Sequence, residues 1–409
     1  MKEIKSNRLQ LLSEKSNLFR LLKNQNSKYN YGLDMKFLLK QIDYGIKSMT
    51  YYEYTDEEKS FKEIISLNKK NNLTDEERIK FDELISKQRE IYSEDELNNK
   101  INYLTECFSK HTSGQYISRT QSVEYTNYND NIKSNSNMLK KLKIHELIHS
   151  ITQGIYLGNK RIDMPSFVNN LSSKLNNKDF NLEDYTIISG YSTVKLNNNL
   201  ECVDIKNNTF MEMCTETLAG ILTEEKNTKE FESFNIPSKM SGYYWTNTPR
   251  DLLVTAIGDS DFFIDMLKED SKERFEKLNS DVKKKYNSDI IEKFDGYLKN
   301  IASDQEEIKK EAIYNMEKDL CDVFVSRLSQ DERSSDIKEQ VDFFKEKLTL
   351  KEFKDLDFEN LAINRKDTFK NSLSDKVVSK EEAAIKSYNK ENIEEKSEEK
   401  KDIEYERKI

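Results

Sequence analysis

Between Asn137 and Ile155, apolar residues recur at Met138, Leu139, Leu142, Ile148, Ile151 and Ile155, close to the period of an α-helix. No proline interrupts this stretch, Lys140, Lys141 and Lys143 mark an opposite polar side, and Gly154 and Gly158 offer places to stop. Upstream, Thr55 with Glu58, Thr74 with Glu77 and Ser93 with Glu96 each form a box in which hydroxyl and carboxylate satisfy each other's backbone N–H, so a helix is predicted to start at each. Leu73 to Tyr92 reads as a charged amphipathic helix, one arm of a helical hairpin. Tyr116 to Tyr125 alternates loosely, as a strand does, and Ser192–Leu196 with Leu200–Lys206 flank an Asn-rich turn and predict a hairpin. From Asp259 to about Phe369 the pattern is again almost wholly helical, with no proline and one glycine.

Turn residues divide the chain in the same way. Seven of the ten glycines lie between Gly114 and Gly258, and all three prolines (Pro165, Pro237, Pro249) fall within that region, as a mixed α+β core requires. The expected organisation is a helical region over 1–110, a core over 111–258, a helical region over 259–373 and a charged, disordered tail over 374–409, rich in Lys and Glu. The fold class is α+β, predominantly helical, with a small sheet in the core.

Charge and cysteine usage narrow the class further. A net charge of −9 and no basic face argue against nucleic acid as a partner. Cys107, Cys202, Cys214 and Cys321 are widely spaced and form neither a disulfide framework nor a CxxC zinc pair. No stretch approaches 18 apolar residues, so no membrane span is expected. The first residues precede no apolar run of signal-peptide length. The expected location is the cytoplasm, or outside the cell by a route that uses no N-terminal signal peptide, including delivery into a host cell. The sequence leaves the oligomeric state open.

The chemistry concentrates at residues 145–149, His-Glu-Leu-Ile-His, which use two of the three histidines in 409 residues. Side chains at i and i+4 share one helix face, so His145 and His149 can direct imidazole nitrogens to a single point, as zinc requires. Glu146, about 100° further round, can reach a water in zinc's open position and take its proton.

This pentad resembles the zinc helix of the zincin metallopeptidases, and it is similar to the HELIH pentad of clostridial neurotoxin light chains and to HELxH pentads of bacterial effector metallopeptidases. The resemblance covers one helix. It implies a Zn2+ cofactor, His145 and His149 as ligands and Glu146 as general base. A metzincin would have glycine at 152 and histidine at 155, where this chain has Thr152 and Ile155. A gluzincin-like carboxylate is therefore expected as third ligand, from the segment Thr209 to Thr223. Thr209 with Glu212 fits a capping box, which gives Glu212 a structural role and leaves Glu216, in apolar surroundings, as the expected ligand. Glu212 itself, then Glu183, Glu201, Asp163 and His111, are the alternatives. For stabilising the oxyanion, the candidates are Tyr244 and Arg250, from the stretch Gly242 to Arg250 that gathers two tyrosines, the only tryptophan and an arginine.

Two functions follow from this reading. One is a zinc endopeptidase acting on a protein or peptide substrate, as an effector or toxin would. The other is a helical binding or scaffold protein whose zinc helix is structural or vestigial. Glu146 favours the first, because a closed structural site needs no base beside its histidine.

Overall fold

The helix that carries the pentad is an interior helix. In the computed structural model, residues 1–70, 72–110, 114–117, 121–126, 136–158, 160–162, 167, 185–197, 202–223, 243–268, 273–330 and 337–367 are described. The expected tail over 374–409 lies outside them, as do His111, Asp163, Glu183 and Glu201. The chain is predominantly helical with two small sheets, an α+β fold. It forms two compact units, Met1–Tyr244 with Ser260–Glu276, and Trp245–Asp259 with the chain from Lys277 onward.

In the first unit, helices α1 (Arg8–Tyr29), α2 (Met35–Gly45), α3 (Asp56–Asn68), α4 (Asp75–Arg89) and α5 (Glu94–Lys110) precede the pentad-bearing helix α6 (Ser136–Thr152), and α7 (Asn208–Leu222) follows it. The Thr55/Glu58 and Thr74/Glu77 boxes are both closed reciprocally, and the Ser93 N–H donates to Glu96. The helical pattern of the first 110 residues did not reveal two strands, β1 (Lys2–Lys5) and β2 (Ser48–Glu53). They join β3 (Gly114–Ile117) and β4 (Ser122–Thr126) in a sheet of order β1-β2-β4-β3, in which only β2 and β4 run parallel. The single strand expected over Tyr116 to Tyr125 is thus a hairpin, turning through Gln121 at φ 51°.

The second sheet has order β6-β5-β7-β8-β9 and is antiparallel throughout: β5 (Gln153–Leu157), β6 (Lys160–Ile162), β7 (Tyr185–Ser189), β8 (Ser192–Leu196) and β9 (Cys202–Lys206). The β8–β9 pair is the expected hairpin. Helix α6 stops at Thr152 and the chain enters β5 at once, so Gly154 and Ile155 are strand rather than helix end. The β7–β8 turn needs its glycine twice over. Gly190 has φ +54°, and a Cβ there would lie 2.2 Å from Met211 Sδ on α7.

Helix α6 packs against α2, β3, β4 and α7. Ile144, Leu147, Ile148 and Ile151 are all buried, each contributing roughly 1.5–3 kcal/mol. On its polar side Lys140 is exposed and Lys143 half-buried, but Lys141 is 1% exposed rather than solvated as the pattern suggested. Close approach of α2 depends on Gly45, where a Cβ would lie 2.7 Å from the Ser150 carbonyl oxygen.

The second unit is helical among the described residues: α8 (Asn247–Ile257), α11 (Ile290–Ile301), α12 (Glu306–Gln330), α13 (Ile337–Lys347), α14 (Lys351–Lys354) and α15 (Phe358–Asp367). The chain between α8 and α11 contributes the four-residue α9 (Phe262–Asp265) to the first unit and α10 (Arg274–Tyr286), which crosses the boundary. The long α12 packs against α8, α11 and α15, with Phe324, Phe344 and Phe358 in mutual ring contact.

Candidate metal centre

Two helices build the site, each with an i, i+4 pair on the facing side. Helix α6 presents His145 and His149, and α7 presents Glu212 and Glu216. Helix α7 does not begin with the expected capping box. Its N-cap is Asn207 in the left-handed conformation (φ 58°) with no side-chain cap bond, so the chain leaves β9 and enters the helix directly. Glu212 is therefore not the cap it was expected to be.

Its carboxylate points at the histidines. Glu212 Oε2 lies 3.1 Å from His145 Nε2 and 3.3 Å from His149 Nε2, and the two Nε2 atoms are 3.1 Å apart. Glu216 Oε2 instead accepts from His145 Nδ1 at 2.9 Å. The two glutamates thus exchange places relative to the sequence expectation. Glu212 closes a triangle with both Nε2 atoms, and Glu216, expected as ligand, orients a histidine from behind. The sequence pointed the other way because apolar neighbours make Glu216 look like the carboxylate in need of a partner. Its partners prove to be His145 and Lys141, the latter at 3.2 Å.

The triangle fits zinc. Tetrahedral coordination with bonds of about 2.0–2.1 Å keeps neighbouring ligand atoms about 3.4 Å apart. The three separations here are 3.1, 3.1 and 3.3 Å, and this trio is the one group of its kind among the described residues. The donor set, two imidazoles and a carboxylate, also suits zinc. With His145 Nδ1–H donating to Glu216, its Nε2 is the nitrogen available to a metal.

The electrostatics of these side chains point the same way. Burial opposes charge on His145, but Glu212 and Glu216 outweigh it and hold the imidazolium well above the ordinary histidine range. Burial likewise works against an ionised Glu212, yet His149 and His145 keep its carboxyl well below the usual range. Glu146 is 5% exposed. Burial raises its pKa, and the two histidines pull it only part of the way back. The site thus gathers three carboxylates around a positive charge that a metal would replace.

The described residues also include an aromatic donor that the sequence reading missed by one position. Tyr243 hydrogen-bonds to Glu212, and its ring stacks over His145 with centroids 6.1 Å apart. Burial first, then the negative charge of Glu212, raises the pKa of its hydroxyl, which therefore stays a neutral donor. The aromatic cluster was the available signal, but 21 tyrosines gave no way to choose within it. Tyr244, the expected candidate, opens a 3-10 turn (Tyr244–Thr246), and its side chain lies outside the described residues. Arg250 belongs to the second unit, where its fully buried guanidinium is committed to Asp251 through Nε at 2.8 Å and Nη2 at 2.6 Å.

No protein-family model matches the chain, and neither a curated protein nor a solved structure matches it. No helix among the described residues is long and apolar enough to cross a membrane.

Proposed function

We propose that the protein is a zinc-dependent peptidase of zincin type, with His145, His149 and Glu212 holding the metal. The observation that carries this reading is the 3.1–3.3 Å triangle of His145 Nε2, His149 Nε2 and Glu212 Oε2, one residue from the buried Glu146. Zinc, when bound, supplies a Lewis acid that acidifies water and polarises a peptide carbonyl.

The chain's own residues do the rest. Glu146 accepts the proton of the attacking water and returns it to the leaving amine, a task suited to a carboxylate whose pKa burial has raised. Glu216 fixes His145 in the tautomer that leaves Nε2 free. Tyr243 offers a neutral O–H to the oxygen on which negative charge develops. The substrate on this reading is a protein or peptide, and an effector or toxin role is one setting in which such an enzyme acts.

The test is metal content by mass spectrometry of protein purified without added metal, combined with a proteome-wide cleavage screen of wild type against Glu146→Gln. One zinc per chain and cleavage products missing from the Gln sample are expected. A metal-free protein, or identical products from both, would end the proposal.

A further inference from the structure

The facing pairs of α6 and α7 extend one turn further than the metal triangle needs. Lys141 is one turn ahead of His145, so Lys141, His145 and His149 form a row on α6 that meets Glu216 and Glu212 on α7. Down this ladder Lys141 Nζ lies 3.2 Å from Glu216 Oε1, and Glu216 Oε2 lies 2.9 Å from His145 Nδ1. Each oxygen of Glu216 thus has its own cationic or N–H partner, one on either side. Lysine is rarely buried unless paired, and at 1% exposure Lys141 has no path to carry its ammonium into water.

A count of formal charges shows what the lysine adds. With neutral imidazoles, the carboxylates of the buried Glu146 and Glu216 and the half-buried Glu212, with the ammonium of the buried Lys141, leave two negative charges. One divalent cation cancels them. Without Lys141 the loaded centre would keep an uncompensated carboxylate, which is costly away from water.

We propose that Lys141 is a positioning residue of the metal centre: its ammonium orients Glu216 so that the carboxylate takes the His145 Nδ1–H and leaves Nε2 for the metal. This rests on the zinc-centre reading above. The contact that matters is Lys141 to Glu216.

The experiment measures zinc affinity by competition with a chelating indicator for wild type, Lys141→Met, Glu216→Gln and the double variant. The imidazole N–H region of the 15N–1H NMR spectrum is recorded on each zinc-loaded protein, a readout made tractable by only three histidines. Lys141→Met should weaken zinc binding about 10–100-fold, the usual range for partners that orient a ligand. It should also shift or broaden the His145 Nδ1–H resonance. In the Glu216→Gln background the lysine change should cost little more. Wild-type affinity and spectrum in Lys141→Met would overturn the proposal, as would an equal loss in both backgrounds, which marks a merely structural lysine. Circular dichroism checks folding, and if Lys141→Met does not fold, Lys141→Gln replaces it with the same outcomes. Failure of the wild type itself to bind zinc would instead strike the centre on which the proposal rests.

Discussion

Both units bury charge, and they close it in opposite ways. In the second unit Glu317 is fully buried, but its two oxygens take the backbone N–H groups of Thr349 and Leu350, at 2.6 and 3.1 Å, and the Thr349 hydroxyl. These bonds hold the segment that starts α14. Arg250 pairs with Asp251 within the same unit, and Lys347 comes within 4.0 Å of that carboxylate. In the first unit buried and half-buried groups converge on one another: two imidazole nitrogens and a carboxylate oxygen, atoms of a kind that can ligate a metal, lie within 3.3 Å. The backbone-capped carboxylate of Glu317 finds its partners within the unit, although burial still holds its pKa above the ordinary carboxylate value. A triangle of ligand atoms with two more carboxylates around it leaves a formal excess of negative charge that a cation would complete. Burial of charge alone therefore separates neither a scaffold from a site nor one unit from the other; what separates them is whether the partners close the charge.

The comparison breaks most sharply at Glu146. Glu146→Gln should retain zinc and lose at least about 10²–10⁴-fold in hydrolysis, the usual contribution of a general base. Single-turnover cleavage of any substrate found in the screen is the measurement, and wild-type rates from the Gln enzyme would move the base elsewhere. Next in size are the two glutamates. Glu212→Ala should lose most of the metal, whereas Glu216→Ala should weaken it about 10–100-fold, as expected for a group that orients a ligand. Isothermal titration with zinc ranks them, and the reverse order would restore Glu216 as the ligand.

That ranking also shows how far the sequence could be read. The helix at 145–149, the capping boxes at Thr55 and Thr74 and the β8–β9 hairpin rest on residues a few positions apart, and local spacing records such features well, though the box expected at Thr209 did not form. The choice between Glu212 and Glu216 depends on the rotation of α7 about its axis, which a left-handed residue at Asn207 and packing against α6 decide. β1 and β2 carry little alternation, and β2 is held by parallel pairing with β4 about 74 positions on, a long-range contact no local window contains. The burial of Lys141 was hidden for the same reason: only the surrounding elements turn its side of α6 inward.

Zinc should stabilise the units unequally. A ligand present at a thousand times its dissociation constant adds about 4 kcal/mol to whatever binds it. Chelation should therefore speed hydrogen exchange in α6 and α7 and leave α12 unchanged. Equal loss of protection in both would show the metal acting on the whole chain. Glu317→Ala should do the converse. Removing a charged acceptor from several buried donors costs about 3 kcal/mol, so α12 and the start of α14 should lose protection while zinc affinity stays as in the wild type.

The smallest effect concerns pH and belongs to the second unit alone. Burial raises the carboxyl of Asp322 on α12 to about 6, a shift opposed by Arg365 on α15 and by Lys318 and Lys293, and assisted by Asp319. Because the folded state holds this proton more tightly than the unfolded chain, with its ordinary value of about 3.9, Asp322 contributes stability below about pH 4. That contribution falls as pH rises through the window from about 4 to 6 and is gone above it. Asp322→Asn, which cannot ionise, should match the wild type near pH 4 and be more stable at pH 7.5. The expected gain is about 1 kcal/mol after allowance for solvent screening of a partly exposed group. Urea unfolding of both proteins at the two pH values decides the matter. An Asn variant that differs from wild type by the same amount at both would show that Asp322 does not titrate in this window.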